Sequence, residues 1–330
     1  MCYLFVGALC LLLFPFMVRK LPPLKVLLPF ATLCILYLIS AIVYSRNAEG
    51  LAFAARPTVC LVFMIIVYNF DDKQKLLKIM LYVMSVVAFV SITLFLLRID
   101  GAVSRGRLQG TFQYANAAGI AFAAAAMLAR SMKGRKYQAM EVLFVVSLLL
   151  TQSVGAIGCY ILGHLLMFMI NKKNNPGSKP ILKTAVFIAA AACSVAAIWF
   201  LRPNALYTYL ERLAQLKDSV TVMLQRPLLG IGAGNWKTAF MQWQTTPYDS
   251  AYMHSSIGQI GIDAGIFAVA AFGYMLYLFW KKREADYVFI AGLMILVHSL
   301  LDITLNFVFV NFLLIAIYFL KEDKKDDKQS

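Results

Sequence analysis

Charged side chains are scarce in this 330-residue sequence, at 14% of the residues, whereas 61% are hydrophobic. A soluble chain is apolar at only about 45–50% of its positions. The mean hydropathy of +0.74 therefore excludes a soluble domain of this length and predicts a polytopic membrane protein. Paired cysteines are also lacking, because all six lie singly in apolar segments. This pattern excludes a disulfide framework and a cysteine metal site.

Long polar stretches are missing too, apart from one loop at 202–252 and a charged tail at 321–330. Apolar runs of about 17–25 residues are long enough to span a bilayer. They predict about eleven transmembrane helices, at 2–18, 24–44, 51–70, 76–97, 112–129, 137–152, 154–170, 181–201, 253–280, 286–304 and 306–320. We therefore expect a single all-α integral membrane domain over residues 1–330, with one large loop.

The net charge of +15 does not indicate a nucleic-acid partner, because the basic residues follow the topology. Most of them lie in alternate connections between the predicted helices, at 19–25, 73–78, 130–136, 172–183, 281–283 and 321–328. The positive-inside rule makes that side cytoplasmic. The N-terminus is then predicted outside, the C-terminus inside, and the loop at 202–252 on the extracytoplasmic side of the bilayer.

Lysine is rare on this predicted outer side, where eight of the ten basic residues are arginine. Arginine is favoured where a planar fork binds a phosphate or carboxylate through two parallel hydrogen bonds. Snorkelling at helix ends is the preferred explanation for Arg46 and Arg202. Binding of an anionic substrate is the preferred explanation for the arginines in or beside polar loops, which are Arg98, Arg105, Arg107, Arg212 and Arg226.

Within the long loop, residues 207–224 have helical spacing of leucine and valine, which predicts an amphipathic helix on the membrane surface. Glycines 230, 232 and 234 follow, before Asn235. Such a turn can bind phosphate through backbone N–H groups, although this spacing lacks the strand and lysine of a nucleotide loop.

His254 is one of only three histidines and begins the ninth predicted helix. Asp263 lies nine residues later, about 13 Å deeper at 1.5 Å per residue, on one face with Gln259. His298 and Asp302 are four apart and are predicted to share a helical face near the outer side. Asn116 begins the fifth helix and is explained by helix packing almost as well as by substrate binding. Together these positions predict a functional site on the outer side.

Five segments, in this order, make the chain similar to the O-antigen ligase and Wzy-type polymerase superfamily of bacterial surface polysaccharides. They are RLQGTFQYANAAG (107–119), LLLTQSVGAIG (148–158), RLAQLKDSVTVMLQRPLLGIGAGNW (212–236), MHSSIGQIGIDAGI (253–266) and HSLLD (298–302). The resemblance implies a GT-C-like helical fold in the bacterial plasma (inner) membrane. It also implies an undecaprenyl-diphosphate-linked glycan as donor, the hydroxyl of a glycan or lipid as acceptor, and other polysaccharide assembly proteins as partners.

Carried over by position, the resemblance implies that His254 is the general base and that Arg212 binds the diphosphate, with Arg226, Arg107 and Arg105 as further candidates. Asp263 stands where related sequences carry a carboxylate. The resemblance also implies no metal and no cofactor, because cationic side chains neutralise the leaving diphosphate. Two positions depart from the family pattern: Val154 replaces an arginine, and Ser255 replaces an asparagine. A transporter or flippase of lipid-linked glycans and a non-catalytic member of a polysaccharide assembly complex remain alternative functions.

Overall fold

The computed structural model describes residues 2–174, 205–248, 250, 252–282 and 286–320. It is mostly helical. In chain order, the α-helices of this part are α1 Cys2–Met17, α2 Leu24–Ser40, α3 Ala48–Tyr68, α4 Lys73–Leu96, α5 Ala115–Arg130, α6 Arg135–Thr151, α7 Val154–Asn174, α8 Ala205–Gln225, α9 Trp236–Trp243, α10 Ser256–Lys281, α11 Tyr287–Leu300 and α12 Val308–Leu320.

Five of these segments are long and apolar enough to cross a membrane: Leu24–Ser45, Ala48–Tyr68, Lys73–Leu96, Val154–Asn171 and Ser256–Lys281. Four shorter apolar helices occur at Phe5–Met17, Ala115–Arg130, Tyr287–Leu300 and Val308–Leu320. The prediction of a helical membrane protein is confirmed at this level. The predicted span at 181–201 and the tail at 321–330 lie outside the described residues, and the total of eleven spans stays a prediction.

Two compact units divide the chain. The first comprises Met1–Lys73, Tyr207–Arg283 and Ser299–Glu322, and the second comprises Gln74–Leu206, Glu284–His298 and Asp323–Ser330. In the first unit, α2 packs on α3 and α10, while α3 also contacts α1 and α12. In the second, α5 packs against α6 and α7. Every residue of α5 from Ala115 to Ala129 is buried, because its small side chains allow close helix approach.

A short antiparallel hairpin precedes α5 in the second unit. Its strands are β1 Val103–Ser104 and β2 Arg107–Leu108, joined by Arg105 and Gly106. Both joining residues have positive φ, at 51° and 71°. The hairpin places Arg107 beside the junction of α6 and α7, and the predicted break between those two helices is confirmed at residues 152–153.

Helix α10 is interrupted at Gly265, whose φ of 80° and ψ of −174° are not helical. The loop that follows α8 is hydrogen-bonded across this interruption. Ile231 N–H donates to the Ile262 carbonyl and Ile266 N–H donates to the Pro227 carbonyl, each at 2.8 Å. Backbone N–H and C=O groups without a hydrogen-bond partner are costly in an apolar environment. The break frees the Ile262 carbonyl and the Ile266 N–H, and the loop provides a partner for each.

Helix α8 confirms the predicted amphipathic helix, but its polar face is the buried one. The exposed face carries Leu210 at 57% exposure, Leu213 at 53% and Leu224 at 77%. Arg212 and Asp218 face the protein interior and are at most 7% exposed. An apolar face turned outward is the arrangement expected of a helix that contacts lipid rather than water.

Candidate functional site

Three polar side chains on the buried face of α8 form the centre of the candidate site. Arg212, Gln215 and Asp218 follow one another at three-residue spacing, which brings them to one side of a helix. Gln215 and Asp218 are fully buried. Arg212 bonds the turn after α11, whereas Gln215 and Asp218 bond residues between α9 and α10. The polar face of α8 therefore holds these parts of the first unit together.

Arg212 binds the turn that follows α11. Its Nη1 lies 3.1 Å from Asp302 Oδ2 and donates to the Leu301 carbonyl at 2.9 Å. Asp302 is 1% exposed and also accepts the Ile303 N–H at 2.8 Å. The guanidinium is thus compensated on its Nη1 side, while its Nε is buried and has no partner among the described residues.

His254 lies two residues before α10, whereas the sequence predicted it inside the helix. Its backbone N–H donates to Gln215 Oε1 at 2.8 Å, and its Nε2 lies 3.2 Å from Ser250 Oγ. Ser255 caps α10 by accepting the Gly258 N–H at 3.2 Å. The histidine is therefore held by α8 before it and by the start of α10 after it.

The pKa of His254 is lowered from 6.5 to about 4, mainly by burial; the Asp302 carboxylate raises it and the positive charge of Arg212 lowers it. The imidazole is consequently neutral at neutral pH. Because it is neutral, one ring nitrogen carries a proton and the other carries a free electron pair.

Three nitrogen atoms of this cluster are buried without a hydrogen-bond partner in the described part of the chain: Arg212 Nε, Gln215 Nε2 and His254 Nδ1. Buried polar atoms are nearly always bonded, and each exception calls for an explanation such as a bound group. An arginine, an amide and a neutral imidazole together can bind an anion and accept a proton from a hydroxyl. The cluster of Arg212, Gln215, His254 and Asp302 is named the α8 site below.

Asp263 and its predicted neighbours have another role, which is to fasten the glycine-containing loop. Asp263 Oδ1 accepts the Gly234 N–H at 3.1 Å, Oδ2 lies 3.4 Å from the Tyr37 hydroxyl, and Gln259 hydrogen-bonds the same carboxylate. Asn235 closes the loop through the Ile231 carbonyl, at 2.9 Å.

Most backbone N–H groups of this glycine loop are already hydrogen-bonded within the protein, which disfavours the phosphate-binding turn that the sequence allowed. The N–H groups of residues 230, 231 and 235 donate to backbone carbonyls. Those of residues 233 and 234 donate to Ser40 and Asp263. Glycine serves close packing here, since a Cβ at Gly230 would overlap the Ile262 carbonyl.

A cavity of about 110 Å³ lies inside the first unit, beside Asp263. Its lining is mostly apolar and also includes Tyr37, Arg56 and Ser256. The Arg56 guanidinium lies 3.6 Å from the centroid of the Phe53 ring. Arg56 was not among the site residues predicted from the sequence. A charged residue within an apolar helix is costly unless it is paired, and that signal could have found it.

In the second unit the structure brings Arg107 and Asn116 together, as two predicted site residues. Arg107 Nη2 donates to Asn116 Oδ1 at 2.7 Å, and its Nε donates to the Thr151 carbonyl at 2.9 Å. Two other candidates, Arg105 and Arg226, are exposed.

The prediction that His298 and Asp302 share one helical face is wrong. Helix α11 ends at Leu300, so Asp302 lies in the turn after it and the four-residue spacing no longer applies. A 3₁₀ turn at Thr304–Asn306 follows. His298 is buried near the end of α11.

No protein-family model and no curated protein sequence matches the chain. Among the described residues, no three histidine, cysteine, aspartate or glutamate side chains form a group that could hold a metal ion.

Proposed function

We propose that the chain is a membrane glycosyltransferase of the O-antigen ligase or polymerase type, with a GT-C-like fold. It transfers or polymerises glycans from an undecaprenyl-diphosphate-linked donor to an acceptor hydroxyl on the extracytoplasmic face of the bacterial plasma membrane. The observation that carries the proposal is the α8 site, in which a neutral histidine and an arginine both keep a buried, unbonded nitrogen.

In the proposed reaction the acceptor oxygen attacks the anomeric carbon of the donor sugar, and the bond from that carbon to the diphosphate oxygen breaks. His254 removes the proton of the acceptor hydroxyl. The Ser250 hydroxyl donates to the Tyr252 carbonyl and is therefore an acceptor towards His254 Nε2. This favours the tautomer that carries the proton on Nε2 and leaves Nδ1 to accept. The diphosphate departs with the electron pair, and Arg212 stabilises its charge.

The low pKa of His254 fits this role once the donor is bound. A base with a pKa of about 4 is neutral but weak. A nearby opposite charge favours the protonated form of a histidine. The negative diphosphate therefore strengthens the base when the donor enters, and the resting site stays in the neutral, receptive form.

Arg107 is proposed as an anion ligand of the second unit. The resemblance expects an arginine at position 154, which is valine here. Arg107 hydrogen-bonds the Thr151 carbonyl, at the end of α6 and just before that position. Its guanidinium is thus supplied to the α6–α7 junction from the β-hairpin.

A transporter or flippase of lipid-linked glycans is the second candidate. The broken helix α10 and the adjoining cavity with Arg56 and Asp263 favour it, because discontinuous membrane helices and buried charges often form transport sites. A non-catalytic member of a polysaccharide assembly complex would need neither feature.

The experiment is mass spectrometry of lipid extracts from the native host, for wild type, a deletion, and the deletion complemented with His254→Ala or with His164→Ala. The last variant controls for loss of a histidine outside the α8 site. We expect single glycan units on undecaprenyl diphosphate to accumulate in the deletion and with His254→Ala only. Clearance of these lipids by the His254→Ala protein would contradict the mechanism, and an unchanged lipid pool in the deletion would contradict the function.

A further inference from the structure

Asp218 is a fully buried carboxylate that the proposed reaction does not use. Its side chain accepts all its described hydrogen bonds from one short segment after α9. Thr245 N–H lies 3.2 Å from both carboxylate oxygens, and Thr245 Oγ1 donates to Oδ1 at 2.7 Å. The Tyr248 hydroxyl donates to Oδ2 at 2.8 Å.

This arrangement has a definite polarity. An ionised carboxylate only accepts hydrogen bonds, and its burial is costly unless donors surround it. Burial and the Asp218 charge raise the pKa of Tyr248, so the phenol keeps its proton and remains a donor. Tyr248 is itself buried, and its ring stacks on Phe240 of α9. The contact therefore fixes the segment at residues 245–248 to α8 in one geometry.

The same segment leads to His254, six residues after Tyr248. Gln215 lies one turn before Asp218 on α8 and accepts the His254 N–H. Two consecutive turns of one helix thus hold the segment at its beginning and at the histidine. Tyr248 and Met253 also pack in one buried apolar cluster with Trp236 and Phe240.

We propose that Asp218 is a positioning residue that holds Thr245 and Tyr248 on α8 and thereby fixes the His254 imidazole in the site. Its catalytic consequence rests on the proposed function, whereas the positioning itself is independent of it. The carboxylate acts through Thr245, Tyr248 and the backbone, and it touches no reacting atom.

The test measures how fast diethylpyrocarbonate modifies each of the three histidines in the detergent-solubilised protein, read by mass spectrometry. Asp218→Asn keeps the side-chain size but turns an acceptor into a donor facing Thr245 and Tyr248. Tyr248→Phe removes one hydrogen bond and preserves the ring. Lys217→Gln removes one charge from the adjacent exposed position and serves as the matched control.

We expect the modification rate of His254 to rise about fivefold in Asp218→Asn and about twofold in Tyr248→Phe, the size expected when one or two hydrogen bonds of a locally opening segment are lost. His164, in the second unit, should keep its rate in every variant. The lipid-linked glycans should accumulate in cells carrying Asp218→Asn but not Lys217→Gln.

An unchanged His254 rate in folded Asp218→Asn overturns the positioning role, and so does an equal rise at His164. If Asp218→Asn does not fold, Tyr248→Phe decides by the same criteria. Should His254→Ala still clear the lipid pool while Asp218→Asn exposes His254, the proposed function fails and the positioning role stands. If His254→Ala accumulates lipids while Asp218→Asn behaves as wild type in both assays, the positioning role fails and the proposed function stands.

Discussion

At the scale of single residues, Arg212 combines a structural task with a proposed substrate-binding task. Its Nη1 neutralises the buried Asp302, which is a structural task, and its Nε remains unbonded among the described residues, which leaves it available to an anion. A buried ion pair contributes little net stability, but removing one partner leaves the other charge exposed to an apolar interior. Stability and activity can therefore be separated by mutation.

Arg212→Ala should lower the free energy of unfolding by roughly 3–5 kcal/mol, because Asp302 loses its partner. The double variant Arg212→Met with Asp302→Leu should recover most of that loss and remain inactive. Stability is measured by heating the solubilised protein and determining, by size-exclusion chromatography, the fraction that remains folded at each temperature. Arg226→Ala removes an exposed arginine and is the control, because it should leave the free energy of unfolding unchanged. A double variant with wild-type activity would show that Arg212 has only the structural task.

The pKa of His254 predicts how acid affects folding. The imidazole titrates near 6.5 when unfolded and near 4 when folded, so the unfolded state binds the proton more tightly. The contribution of this residue to stability is fully present above pH 6.5 and is lost as the pH falls towards 4. Between pH 7 and 4.5, the melting temperature of wild type should fall more than that of His254→Gln. Parallel curves would contradict the assigned burial of the ring.

At the scale of elements, the helices themselves were accessible from the apolar runs, but the interruption of α10 was not. The segment GIDAGI reads as helix because each residue tolerates helical geometry. The break exists because the loop at 227–234 supplies hydrogen bonds to Ile262 and Ile266. That loop lies more than thirty residues earlier in the chain, and no local pattern encodes such a pairing.

Gly265→Ala should therefore disrupt the protein much more than a normal helix substitution. Gly265 has a φ of 80°, and a Cβ there would overlap the Leu228 and Pro227 carbonyls. Gly273→Ala is the matched control in the same helix, because no heavy atom lies within 4 Å of its Cβ position. We expect a marked loss of folded protein for the first variant and a change of at most about 1 kcal/mol for the second. Equal yields of both would contradict the break.

Helix α8 shows the same limit for the candidate site. Its periodicity correctly predicted an amphipathic helix, and the arginine pattern singled out Arg212. The roles of Gln215 and Asp218 were missed because polar residues on such a helix are normally assigned to water. The i, i+3, i+6 spacing of these three residues opposite an apolar face was the available signal. Burial of the polar face could be read only once the partners Asp302, His254 and Thr245 were in place.

At the scale of the whole molecule, the placement of basic residues makes a prediction of membrane orientation. The chain should have its N-terminus outside and its C-terminus in the cytoplasm. Green fluorescent protein fused after Lys136 or after Ser330 should fluoresce, and alkaline phosphatase fused at these positions should be inactive. After Gln244, green fluorescent protein should be dark and alkaline phosphatase should be active. A fluorescent fusion after Gln244 would place the α8 site on the cytoplasmic side and would contradict an extracytoplasmic reaction.

Glycan transfer by the purified protein in lipid nanodiscs would show whether the α8 site is catalytic. The donor is the lipid-linked glycan extracted from the deletion strain, and release of undecaprenyl diphosphate together with the elongated or ligated glycan is measured by mass spectrometry. Wild type and His164→Ala should release both products, whereas His254→Ala should release neither. Release at the wild-type rate by folded His254→Ala would contradict the assignment of the α8 site as the catalytic centre.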